Sequence, residues 1–201
     1  MHRVRVEEAV STPKMARATH LVGRFFSSLV PLPVPSADRA WVESVLQPEE
    51  FALWTRLSLA DRRESIAVAR RTDVALGGTE YEGDPRWMAA ALLHDVGKLD
   101  ARFGPMRRSL ATVLTAVLGR RTVEGWVDKS GFVRRCALYT FHDQLGGDRL
   151  RMVGGRKEAA LWADAHHRPA IWDATGLPTT VVVALASADG ERTDRFELSA
   201  G

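Results

Sequence analysis

The 201-residue chain has a single cysteine, Cys136, only four lysines, and no uninterrupted apolar run of membrane-spanning length. One cysteine cannot close an intramolecular disulfide, so nothing asks for an oxidising compartment and a cytoplasmic location is expected. The longest apolar stretch near the start, LVGRFFSSLVPLPVP, holds an arginine and two serines before three prolines end it. It reads as neither a spanning helix nor a signal sequence, and no membrane anchor is expected. The scarcity of lysine leaves the basic character, a net charge of +3, to 24 arginines. Their pairs (Arg62 and Arg63, Arg70 and Arg71, Arg107 and Arg108, Arg120 and Arg121, Arg134 and Arg135) are scattered and do not form one stripe with interleaved aromatics. Solvated helix faces are the expected use, with attraction of a small phosphorylated substrate as a lesser one; nucleic acid is disfavoured as a partner.

What is present is the composition of an ordinary globular protein, 45% hydrophobic and 26% charged, enough for one substantial core. Residues 1–19 mix charge and small polar side chains without periodicity and are expected to form a disordered tail, with Met15 an alternative start; residues 20–201 are expected to form one helical domain. After the proline-rich connector PLPVPSAD, the segments ADRAWVESVLQ and EEFALWTRLS carry apolar residues three and four apart, a helical spacing. Ser58, with Asp61 three residues on, reads as the cap of a helix to about Thr72, and Gly77, Gly78 and Gly83 mark the loop after it. Asp84 followed by Pro85 starts a helix to about Asp95 whose WMAAALL is apolar nearly all round, the pattern of a buried central helix. Further helices are expected over 106–118, 130–141, 143–153 and 156–167, with Gly119, Gly131, Gly146, Gly154 and Pro169 as punctuation. The β-branched run in PTTVVVALASAD favours a strand, whereas Pro178 and the alanines favour a helix; it is read as a helix because no partner strand is evident. The chain is therefore expected to be all-α.

Four of the six histidines fall at the ends of these helices. His94 and Asp95 close the apolar helix, His142 and Asp143 open a later one, His166 and His167 close another, and Asp189 closes the last. Imidazole nitrogens and carboxylate oxygens brought together at helix ends are what a divalent transition metal needs. An aspartate can lend one oxygen to each of two ions, so Asp95 is the candidate bridge. A lone histidine at a helix C-terminus more often complements the helix dipole, so it is the ordered set that carries the reading.

The motif LLHDVGK resembles the signature of the HD-domain metal-dependent phosphohydrolases, an all-helical superfamily, and the likeness runs over roughly Leu57 to Glu191. LYTFHDQLG resembles the family's helix start, WADAHHRP its paired-histidine turn, and ALASAD its terminal aspartate helix. The resemblance implies an HD-domain helical bundle with ligand roles for His94, Asp95, His142, His166, His167 and Asp189. It is similar in particular to short HD-domain proteins of high-GC bacteria. The family places a histidine where DRRESIAVARR has Glu64. Glu64 is either a carboxylate that ligates in place of imidazole or acts on the ion through a water, or a solvated glutamate pairing with a nearby arginine.

Two functions follow as expectations. One is hydrolysis of a phosphate ester of a soluble nucleotide or related small molecule by a metal-activated water, with one or two divalent ions, manganese or iron expected over magnesium or zinc. Asp95 and Lys98 are the candidate catalytic residues; the Lys98 ammonium would meet phosphoryl oxygens, or else merely complement helix carbonyls. The alternative is a catalytically degenerate module that binds a nucleotide or protein partner in a regulatory role, which Glu64 would suit. No GYP element follows the histidine pair, which disfavours hydrolysis of cyclic di-GMP.

Overall fold

A computed structural model of the chain describes residues 32–101, 103, 105–191 and 193, and for 105–109 the backbone alone. The expected tail over 1–19 and most of the apolar stretch beside it lie outside the described residues. Within them no strand occurs, and the architecture is an all-α bundle. Its helices are α1 (Ser36–Val45), α2 (Pro48–Trp54), α3 (Leu59–Leu76), α4 (Pro85–Leu93), α5 (Lys98–Ala101), α6 (Pro105–Leu118), α7 (Arg120–Glu124), α8 (Gly131–Thr140), α9 (His142–Met152), α10 (Lys157–Ala165) and α11 (Thr179–Asp189). None is long and apolar enough to cross a membrane.

The helix starts obey the local chemistry. Ser58 accepts a hydrogen bond from the Asp61 amide at 3.2 Å and caps α3, which continues past Thr72 to Leu76. Asp84 takes the Arg86 amide at 2.9 Å with Pro85 in the first helical position of α4. From Trp87 to Leu93 every residue of α4 is buried, so this helix runs through the core. The β-branched segment is helical, as expected: Val181, Val182 and Leu185 are buried against the core, and packing overrides strand propensity. Helix α4 ends at Leu93, two residues before the expected boundary, and α2 ends at Trp54.

Helix α4 is flanked by α3 on one side and α10 on the other, α11 lies along α3, and α9 lies along α10. These elements share the main hydrophobic cluster, with the large side chains of Trp54, Trp162 and Trp172 fully buried. A smaller cluster of Ala101, Phe103, Ala111 and Cys136 joins α5, α6 and α8. Glu50, on α2, is wholly buried; it takes the Gln47 amide at 2.9 Å and the Arg156 amide at 2.7 Å and pairs with the Arg156 guanidinium. That fastens α2 to the loop between α9 and α10.

Among the described glycines, Gly97 makes the closest approach. A Cβ on Gly97 would fall 1.9 Å from the His142 carbonyl oxygen and 2.6 Å from the Gly146 amide nitrogen. Only a residue without a side chain lets the turn after α4 lie on the first turn of α9. Gly146, expected as punctuation, sits inside α9, where its bare Cα completes this contact.

Candidate metal centre

Three histidines stand where helices end or begin, and each is held the same way. His94 is the C-cap of α4, His166 is the C-cap of α10, and His142 opens α9 just past the end of α8. The Nδ1–H of His94 donates to the Ala91 carbonyl at 2.8 Å, that of His142 to the Tyr139 carbonyl at 2.7 Å, and that of His166 to the Ala163 carbonyl at 2.8 Å. A carbonyl can only accept, so each contact fixes the proton on Nδ1 and leaves Nε2 as the lone pair when the ring is neutral.

Those Nε2 atoms converge on Asp95. His142 Nε2 lies 3.1 Å and His166 Nε2 3.7 Å from Asp95 Oδ1, whereas His94 Nε2 lies 3.3 Å from Asp95 Oδ2 and 3.4 Å from Asp189 Oδ1. Asp95 therefore presents Oδ1 to two imidazole nitrogens and Oδ2 to a third. His142 Nε2, His166 Nε2 and Asp95 Oδ1 are buried and lack hydrogen-bond partners. Acceptors facing one another at such distances repel unless a proton or a cation lies between them. The buried donor atoms of this site thus fit a metal ion.

The electrostatics set His142 and His166 apart from His94. Burial pushes His142 below the usual imidazole range and His166 down to about 4, so both are neutral near pH 7. Burial also disfavours the charged form of His94, but Asp95 and Asp189 outweigh it and hold the imidazolium well above its ordinary value. Against the desolvation that would raise them, Lys98 and His94 keep Asp95 well below the usual carboxylate range, and His94 keeps Asp189 at about 2. Lys98, which opens α5, pairs with Asp95 Oδ2; that carboxylate overcomes burial and holds its ammonium charged. The expected contact with a phosphate is occupied in this arrangement by Asp95.

The ligand atoms of Asp95, His142, His166 and His167 lie within 4.8 Å of one another and could hold a metal ion; His167, Asp189 and Glu191 form an adjoining group by the same measure. Six expected ligands, His94, Asp95, His142, His166, His167 and Asp189, are thus brought together. Glu64 stands apart from both groups: its Oε1 lies 3.2 Å from Arg71 Nη2, and Arg71 Nε donates to the Ala188 carbonyl at 2.8 Å, tying α3 to the end of α11. It still lines the cavity into which the centre opens, a space of about 810 Å³ bounded also by Asp61, Arg63, Lys98, Thr115, Arg120 and Tyr139.

Two residues of the site had no motif to mark them. Glu191 receives the His167 Nδ1–H at 2.8 Å. The signal for it is Gly190, which ends α11 with φ of +87° and turns the chain back. Arg63, half-buried in the cavity wall, makes no ion pair or hydrogen bond among the described residues. The chain matches no protein-family profile, no curated protein and no solved structure.

Proposed function

We propose that this protein is a metal-dependent phosphohydrolase that cleaves a phosphate ester of a small molecule, a nucleotide or a similar metabolite, as the resemblance of its motifs to HD-domain enzymes implies. The observation that carries the reading is the meeting of unprotonated Nε2 atoms with the Asp95 carboxylate at the wall of a cavity of ligand size. Asp95, His142, His166 and His167 would hold one divalent ion; a second, held with His94 and Asp189, would have to displace the proton those carboxylates keep on His94 and share Asp95 Oδ2 with Lys98. Such ions supply charge stabilisation on a phosphoryl oxygen and a water that ionises near neutral pH. A donor set of imidazole and carboxylate without thiolate favours manganese or iron over zinc, and nitrogen ligands weigh against magnesium.

The protein's own groups divide the remaining work. Lys98 holds Asp95 ionised and in place. Arg63 is the half-buried cation with no ion-pair partner among the described cavity residues, and a substrate phosphate is the partner it lacks. Arg120 also faces the cavity but lies 3.6 Å from Asp143 Oδ2 and over the Phe141 ring.

The test is metal analysis of protein purified without chelators, followed by hydrolysis assays on p-nitrophenyl phosphate and its bis ester with manganese. Wild type should carry metal and turn over at least one ester, and Asp95→Ala and His142→Ala should lose both properties. Metal below roughly 0.2 per chain after reconstitution sinks the reading. The degenerate-module reading draws on Glu64, which pairs with Arg71 and is absent from both groups of ligand atoms. Metal uptake without turnover of any ester, together with nucleotide binding, would favour it.

A further inference from the structure

We infer that Glu191 is a positioning residue for the metal centre: it fixes the proton of His167 on Nδ1 and so makes Nε2 the atom that His167 offers to a divalent cation. The inference deepens the proposed metal centre and rests on that reading. Four histidines gather at the centre, and in each the Nδ1 is already engaged. His94, His142 and His166 reach back three residues to a carbonyl of the helix they follow. His167 does not share that device: the carbonyl three residues before it, that of Asp164, accepts from the Arg168 guanidinium, Nε at 3.1 Å and Nη2 at 2.6 Å. Its Nδ1–H donates to a carboxylate 24 residues onward, Glu191 Oε1, at 2.8 Å. An imidazole held by a carboxylate on one nitrogen and offered to a metal by the other is a recurrent arrangement, and the outer partner fixes both tautomer and ring direction.

Glu191 reaches this place through the backbone. Helix α11 closes with two bonds, Gly190 N–H to the Ser187 carbonyl at 3.1 Å and Glu191 N–H to the Ala186 carbonyl at 2.9 Å, the pair that defines a Schellman turn. The turn requires the left-handed conformation of Gly190, and it carries the chain back over the end of α11. Asp189, a candidate ligand, and Glu191, the outer partner of another, are thereby set on either side of one glycine. The ring of His167 lies 4.0 Å from that of His166 and 5.1 Å from that of His142, so the ring Glu191 holds belongs to the same cluster. The Glu191 side chain is 31% exposed, and its backbone, not its carboxylate, makes the Schellman bond, so truncation spares the fold.

The experiment compares wild type, Glu191→Ala and Glu191→Gln in two measurements that do not involve turnover. Long-range nitrogen–proton NMR at pH 8 on chelator-treated protein reads the tautomer of His167, and titration with manganese reads affinity. Wild type should hold the proton on Nδ1. Glu191→Ala should shift it toward Nε2 and weaken manganese about 10- to 100-fold, whereas Glu191→Gln, whose amide oxygen still accepts, should restore the tautomer and most of the affinity. An alanine variant unchanged in both readouts overturns the assignment, and so does a glutamine variant with the native tautomer that binds as poorly as alanine, which would make Glu191 a direct ligand. A wild-type chain with no manganese affinity overturns it too. Hydrolytic silence with both shifts intact would instead defeat the phosphohydrolase reading and leave this assignment standing.

Discussion

Gly97 and His142 touch backbone to backbone: a Cβ on the glycine would come within 1.9 Å of the histidine carbonyl oxygen. The obstacle is main chain, which no rotamer change can move aside. Gly97→Ala must therefore push the turn carrying His94 and Asp95 away from the start of α9. A cost of about 3 kcal/mol or more is expected, a fall in melting temperature of roughly 6 °C or more, with metal binding weakened because His142 and Asp95 part. Calorimetry of the variant beside wild type checks this, and an unchanged melting temperature would show that the contact is looser than described.

The neutral His166 makes the metal-free protein sensitive to acid. Burial lowers its folded value to about 4, below the about 6.5 of an unfolded chain, so between those limits the unfolded state binds the extra proton. Its contribution to stability is present above the unfolded value and is lost as pH falls through that window. His142, also lowered, acts in the same direction, and His94, held protonated, acts in the opposite one. Thermal melts in chelator at pH 7 and pH 5 should show a smaller loss for His166→Gln than for wild type. Equal losses would mean that His166 is not buried neutral.

Glu64→Ala should leave metal content unchanged, since its carboxylate is directed to Arg71 and lies outside both ligand groups. The ion pair is about one third exposed on the glutamate side and worth at most ~1 kcal/mol, so stability should fall little. Loss of half the bound metal on elemental analysis would instead make Glu64 a ligand that moves when the ion arrives.

Arg63→Ala should raise KM for a phosphomonoester by roughly 10-fold or more, the loss of one charge-assisted hydrogen bond, with bound metal unchanged. If kcat falls by the same factor with KM constant, the guanidinium contacts only the transition state and not the bound substrate. Indifference of both constants removes Arg63 from the substrate site.

Much of this was legible in the sequence because it rests on local rules. The caps at Ser58 and Asp84 and the all-round apolar WMAAALL announce α3 and α4, and the histidines at helix ends announce a cluster. Four-residue α5 and five-residue α7 are too short to show a period, and neither was foreseen. The buried Glu50 and its partner Arg156 stand 106 residues apart, a pairing no local pattern encodes. Glu64 illustrates the same limit: sequence places it directly after Arg62 and Arg63, but its partner is Arg71, seven residues on, and only the packing of α11 on α3 gives that arginine a second task at Ala188. Glu191 was hidden because it follows the end of the last helix and belongs to no motif, although the intervening glycine is the residue that signals a reversal.

The clamped imidazoles have one more consequence. Each Nδ1–H closes a carbonyl in the last turn of the helix it follows, so the atoms that orient the donors also finish α4, α8 and α10. A cation held by the Nε2 atoms at the other edge of these rings would pull on all three helix ends, and through Asp189 on a fourth, α11, across almost a hundred residues of chain. For a protein whose lone thiol leaves it no disulfide, such an ion would serve as a reversible cross-link. Its strength would be set by the concentration of free cation and not by redox state.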